Sequence, residues 1–161
     1  MPTLTPDEVT TFLTEPGHLV RLATVDADGA PRVVPIWFVF EEKRIWMTPR
    51  ERAAWWTDVQ HDQRVALVID EEASPYRKVI ARGPVEIVHV PGEDDAWRDR
   101  YRRIATRYTP EEWADAYLTN THDEPRALLA FDLDPEHATT WRMPLPGEDP
   151  KGIWAPRYYH A

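Results

Sequence analysis

The sequence predicts a mainly β domain with a few short helices, its strands paired antiparallel into a closed or nearly closed barrel. Three observations predict it. Six or seven strand patterns follow one another through short polar turns. Helical spacing is confined to two or three short blocks. Such a chain would leave open sheet edges, and closing the sheet with helices at its ends removes them.

The elements follow in order. Thr5-Pro6-Asp7-Glu8 is a helix start, with Thr5 as cap, Pro6 in the first turn and Glu8 completing a capping box. Val9, Phe12 and Leu13 share one face, and the helix should end near Glu15-Pro16-Gly17. His18 to Val25 alternates as a strand, and Asp26 to Gly29 is a turn in which Gly29 can take positive φ. Arg32 to Phe40 is apolar almost throughout, which suits a strand buried on both faces. Glu41-Glu42-Lys43 is a polar turn and Arg44 to Thr48 the returning strand, so three strands should form a meander.

Glu51 to Gln60 reads as a helix with Trp55, Trp56 and Val59 on one face. Arg64 to Asp70 is a buried strand. Tyr76 to Val90 is a long strand pattern with a bulge or bend expected at Gly83-Pro84. Asp94 to Arg107 places Trp97, Tyr101 and Ile104 at helical spacing, and Arg98, Arg100, Arg102, Arg103 and Arg107 read as a solvated basic face. Thr109-Pro110-Glu111-Glu112 repeats the first start signal, and Trp113, Ala114, Tyr117 and Leu118 follow. Pro125 to Leu133 and Ala138 to Met143 are the last strands, with a turn at Asp134 to His137. Residues 1–143 thus form one barrel domain. Residues 144–161 are a proline-rich extension whose Ile153, Trp154, Tyr158 and Tyr159 should hold it to the domain or to a second copy.

Composition excludes several functions. The net charge is −9 and the basic residues are interleaved with acids, so a nucleic-acid partner is not expected. The chain has no cysteine, which removes disulfides, thiol nucleophiles and cysteine metal sites and suits a reducing cytoplasm. No signal-peptide pattern and no membrane-length apolar run occurs, so no membrane partner is expected. Neither HExxH nor another histidine pair at metal spacing is present, nor a glycine-rich phosphate loop, GxSxG or GxGxxG.

One arrangement remains. The hairpin over residues 30–52 ends in Thr48, Arg50 and Arg52, just before a helix. Guanidinium forks, a hydroxyl and free helix N–H groups favour a phosphate. A second strand carries Tyr76-Arg77-Lys78, and the chain holds eight tryptophans. Apolar and aromatic walls with a few cations suit a flat, phosphorylated ring ligand. The plainer reading is a core hairpin with a solvated basic edge, its tryptophans filling a small barrel.

The order and spacing of several short motifs carry a family resemblance. They are Gly29-Ala30-Pro31-Arg32-Val33-Val34-Pro35-Ile36-Trp37-Phe38, the strand Ile45-Trp46-Met47-Thr48, Asp62-Gln63-Arg64-Val65, and Tyr76 to Gly83. Over about residues 5 to 143 the chain resembles the pyridoxamine 5′-phosphate oxidase-like split-barrel proteins, also called flavin/deazaflavin oxidoreductases. The resemblance implies an FMN-binding split β-barrel of six or seven antiparallel strands, and a homodimer with cofactor sites at its interface. It places Val33, Val34, Pro35, Ile36 and Trp37 along the isoalloxazine, and Met47 and Thr48 by the ring and ribityl chain. Arg50 and Arg52 would hold the phosphate, Lys78 would reach the ring, and Trp141 and Trp154 would cover the site from the partner.

Many members carry an Arg-Lys or Lys pair where this chain reads Arg50-Glu51-Arg52-Ala53-Ala54-Trp55-Trp56. The arginines could replace it, since guanidinium binds phosphate well. Alternatively Trp55 and Trp56 could fill the pocket. The expected function is a cytoplasmic oxidoreductase using FMN, or alternatively coenzyme F420, that passes hydride to a small-molecule substrate. The alternative is a non-enzymatic dimer binding a cofactor or hydrophobic ligand. The signatures of pyridoxal recognition are absent, so pyridoxamine phosphate is not the expected substrate.

Overall fold

Two strand patterns break in the middle, and each break moves the chain from one sheet to another. The computed structural model describes residues 3–133 and 138–148. These residues form nine strands and four α-helices. One sheet has the order β2-β1-β5-β6-β9, from β1 (Val20–Val25), β2 (Pro31–Ile36), β5 (Arg64–Asp70), β6 (Lys78–Pro84) and β9 (Ala138–Trp141). The other has the order β3-β4-β8-β7, from β3 (Val39–Glu41), β4 (Arg44–Met47), β7 (Glu86–His89) and β8 (Leu128–Asp132). All pairings are antiparallel, and the sheets are not closed into one barrel.

The single strand expected over residues 32–40 is therefore two, β2 and β3, parted at Trp37-Phe38. The expected meander is split between the sheets for the same reason. The bend expected at Gly83-Pro84 falls at Val85, whose N–H donates to the Gln63 carbonyl at 2.8 Å between β6 and β7. These two breaks account for nine strands in place of six or seven. β2 is not buried on both faces either. It is the edge strand, with Pro31, Val33 and Pro35 outward and Val33 64% exposed. Prolines are tolerated there because an edge strand needs fewer N–H groups.

The doubly buried strands are β4 and β8. Ile45, Met47, Leu129 and Phe131 enter the main core with α1 (Pro6–Thr14) and α2 (Ala54–His61). Their alternate neighbours Trp46, Leu128 and Ala130 pack under α3 (Arg98–Thr106) and α4 (Glu111–Asn120). Trp97, Tyr101, Ile104, Ala114 and Leu118 complete that second core, whereas Trp113 is 72% exposed. The arginines of α3 are not simply solvated. Arg100 lies 3.7 Å over the Trp46 ring, and Arg107 lies 4.5 Å over Phe38.

The helix ends differ in chemistry. At α1 the capping box forms: Thr5 Oγ accepts from the Glu8 N–H at 3.3 Å, and the Thr5 N–H donates to Glu8 at 2.7 Å. Replacing Thr5 by Ala is expected to cost about 1 kcal/mol in urea unfolding, and a cost near zero would show the cap to be idle. The second TPxE forms no such box. Thr109 Oγ instead donates to the Ala105 carbonyl at 3.1 Å, closing α3. α2 begins at Ala54, three residues later than expected, so Arg50 and Arg52 lie in the turn before it.

Candidate functional site

The candidate site is a cavity of about 410 Å³ where β4 runs out, between the β2–β3 junction, the turn into α2, and the helices α3 and α4. Pro35, Ile36 and Trp37 form one wall. Thr48, Arg50, Arg52, Ala53 and Trp55 come from the end of β4 and the start of α2. Tyr101, Tyr117 and Arg126 close the inner end.

Each wall has a local cause. Trp37 stacks on Tyr108, ring centroids 5.1 Å apart and planes 5° from parallel. The Tyr108 hydroxyl donates to the His18 carbonyl at 2.7 Å and accepts from the Phe38 N–H at 3.1 Å, which fixes the junction. The β4–β8 pairing continues past the named strands: the Glu51 N–H donates to the Pro125 carbonyl, and the Ala127 N–H to the Pro49 carbonyl. This extension sets Arg50 opposite Arg126.

The cations have different surroundings. Arg50 is exposed, pairs with Glu124 at 2.6 Å and donates to Tyr117 Oη at 3.0 Å. Arg52 is exposed and has no ion pair or hydrogen bond among the described residues. Arg126 is only 6% exposed. Its guanidinium donates to the Thr48 carbonyl at 3.3 Å and to Tyr117 Oη at 3.0 Å, and it lies 4.5 Å over the Tyr101 ring. Burial pushes the Tyr101 phenol up. Burial also acts to raise Tyr117, but its hydrogen bond from Arg50, a looser one from Tyr101 and the charges of Arg126 and Arg50 prevail and hold it below the usual value.

Of the residues singled out in sequence, Pro35, Ile36, Trp37, Thr48, Arg50 and Arg52 line this one cavity. Val34 packs against the main core instead, and Met47 is fully buried in it. Lys78 does not line the cavity; its ammonium sits 3.7 Å over the Trp141 ring. Trp154 and the tail after residue 148 lie outside the described residues. Trp56 turns into the core and Trp55 forms part of the wall, so the two tryptophans do not fill the space. Tyr101, Tyr117 and Arg126 were not anticipated. The signal available for Arg126 was a charge at the head of an apolar strand, where a buried cation needs a reason.

Elsewhere, Glu15, His18 and Glu71 bring their ligand atoms within 4.8 Å of one another. The Arg77 guanidinium bonds both carboxylates, so their oxygens are already engaged.

The family model described as pyridoxamine 5′-phosphate oxidase matches residues 5–142. The chain belongs to the pyridoxamine 5′-phosphate oxidase family. Comparison with curated proteins finds no match. Solved structures of similar fold include a FAD-binding protein from Mesorhizobium loti, at 19% identity and TM-score 0.61, covering 86% of this chain and 95% of that one. They include HutZ, the heme storage protein from Vibrio cholerae, at 20% identity and TM-score 0.61, covering 80% and 89%. An F420 reductase aligns at 24% identity and TM-score 0.55, covering 74% and 88%. These likenesses establish for this family member the split-barrel fold, mainly antiparallel β with short helices.

Proposed function

We propose that this protein is a cytoplasmic oxidoreductase that binds FMN, or alternatively coenzyme F420, in the described cavity and serves a small-molecule substrate. The observation that carries this reading is the conjunction of a flat apolar and aromatic wall, Pro35 to Trp37, with Thr48, Arg50 and Arg52 at one opening. Among the described residues Arg52 has its donors free for a phosphate, and Thr48 supplies a hydroxyl to the same cavity. Bound there, the cofactor supplies the hydride chemistry. The chain's own residues orient it and exclude water. Val34 and Met47 support the wall from behind, which is the role we give them in place of direct contact.

We propose a homodimer as well. Val33 and Pro35 share the outward face of β2, and Pro35 also lines the cavity. A second copy seated on that face would cover an exposed apolar strip and the cavity mouth together. The roles assigned to Lys78 and Trp154 require that second copy. No helix among the described residues is long and apolar enough to cross a membrane.

The test is the absorbance spectrum of the purified protein, followed by titration with FMN and F420. A flavin or deazaflavin band, or saturable binding of either, is expected, and Arg52→Ala should weaken it about tenfold, the loss of one charge-assisted contact. A colourless protein that binds neither compound overturns the proposal. The likeness to a heme storage protein supports a second reading, a binding dimer without turnover; a Soret band in place of the flavin band would select it.

A further inference from the structure

The inner end of the cavity carries a charge that nothing described answers. Arg126 is 6% exposed, and among the described residues no carboxylate pairs with its guanidinium. Its Nε has no hydrogen-bond partner among the described residues. Asp94 accepts from the Arg126 backbone N–H, at 2.8 Å, and not from its guanidinium. Arg50, by contrast, is neutralised by Glu124. A buried cation without a counter-ion is costly unless an anion completes it.

The two phenols beside it have protons to offer. Tyr117 Oη accepts from Arg50 and from Arg126, each at 3.0 Å. With its accepting positions taken, the hydroxyl has a proton to give. Tyr101 is 5% exposed, lines the same cavity, and its hydroxyl has no hydrogen-bond partner of ordinary geometry among the described residues. Unpaired buried hydroxyls are uncommon and call for an explanation. Two O–H donors and one unmatched positive charge fit a single negative charge spread over two oxygens. The adjoining wall is flat and apolar, from Ile36 and Trp37.

We infer that the inner end of the cavity is an acid-recognition subsite, which takes the carboxylate of a small planar organic acid through Tyr117, Tyr101 and Arg126 and rests its ring on Trp37. The subsite names the substrate class of the oxidoreductase proposed above, and in that role it rests on that reading; as a binding site it stands alone. A phosphate group belongs instead at the outer opening, where exposed Arg52 can meet a more heavily charged and hydrated anion.

The experiment uses the full chain, with benzoate as the probe and quenching of tryptophan fluorescence as the readout. Saturable binding is expected, weakened about tenfold in both Tyr117→Phe and Tyr101→Phe and retained in Arg52→Ala. An ultraviolet pH titration supplies a second readout. The difference between wild type and Tyr117→Phe isolates one phenol that titrates below the usual value, and benzoate should move it upward, since an added anion disfavours phenolate. If Tyr117→Phe does not fold, Tyr101→Phe and the wild-type titration still decide.

Absence of saturable benzoate binding overturns the inference. So does equal affinity in wild type and both phenylalanine variants, or loss of benzoate binding in Arg52→Ala. Failure to bind FMN and F420 while benzoate binds as expected removes the oxidoreductase and leaves the subsite.

Discussion

Phe38→Ala is expected to remove about 3–5 kcal/mol of stability, measured by urea unfolding with an unchanged slope. Phe38 is fully buried and sits in the two-residue gap where the chain leaves the five-stranded sheet for the four-stranded one. Its ring belongs to the main core and carries the Arg107 guanidinium on one face at 4.5 Å. Truncation leaves a cavity that neither sheet can close, because β2 and β3 are each held by their own partners, β1 and β4. The stacked cation also loses its surface. A loss below about 1 kcal/mol would mean that the junction repacks freely and that Phe38 does not anchor it.

Arg77→Ala is expected to cost about 2–3 kcal/mol at neutral pH, in line with the loss of several charge-assisted hydrogen bonds at a half-buried position. The Arg77 guanidinium donates to Glu15 at 2.9 and 2.7 Å and to Glu71 at 3.0 and 2.6 Å. It also lies 4.8 Å over the Phe12 ring. It thus ties the end of α1 to the connection between β5 and β6. Its hydrogen bonds hold both carboxyls below the usual carboxylate range, against a smaller opposing effect of burial. A depressed folded-state pKa contributes stability that is fully present above the unfolded value, about 4.3 for Glu, and is lost as pH falls through the folded value. The gap between wild type and Arg77→Ala should therefore be widest at neutral pH and narrow as the pH falls below about 4. A gap independent of pH would show that Arg77 acts through packing on Phe12 alone.

Local chemistry made much of the fold legible. Thr5 and Glu8 signalled their cap because a capping box is complete within four residues. Gly29 announced its turn and adopts φ +84°. β5 was readable end to end, since Val65, Leu67 and Ile69 alternate with exposed or half-buried neighbours. The partition of strands between two sheets was not readable. An apolar run such as Arg32 to Phe40 looks alike whether it stays in one sheet or crosses to another, because both states keep residues apolar. Its outward face also misled: Val33 and Pro35 are apolar yet exposed on this single chain. The site divides the same way. Its outer half, Pro35 to Arg52, lies on one short stretch of chain and showed itself as a local pattern. The inner half needs α3, α4 and the head of β8, and Tyr101 and Tyr117 sit on helix faces where an aromatic residue reads as core. Long-range contacts bring them to that stretch, among them the pairing of Arg50 with Arg126 and the packing of Trp46 under both helices.

That long-range pairing has a consequence for how the chain is made. Four strands of the first sheet, β1, β2, β5 and β6, all precede residue 85 and can begin to pair while synthesis continues. β4 cannot be completed then, because its second neighbour is β8, and Arg44 meets Asp132 across a separation of 88 residues. Until Leu128–Asp132 leaves the ribosome, Ile45, Trp46 and Met47 have the hairpin with β3 but no far neighbour. Non-local strands form late and expose apolar surface while they wait. The nascent protein therefore carries β4 with one edge open until β8 is made, and the cavity is complete only once Arg126, at the head of β8, is in place.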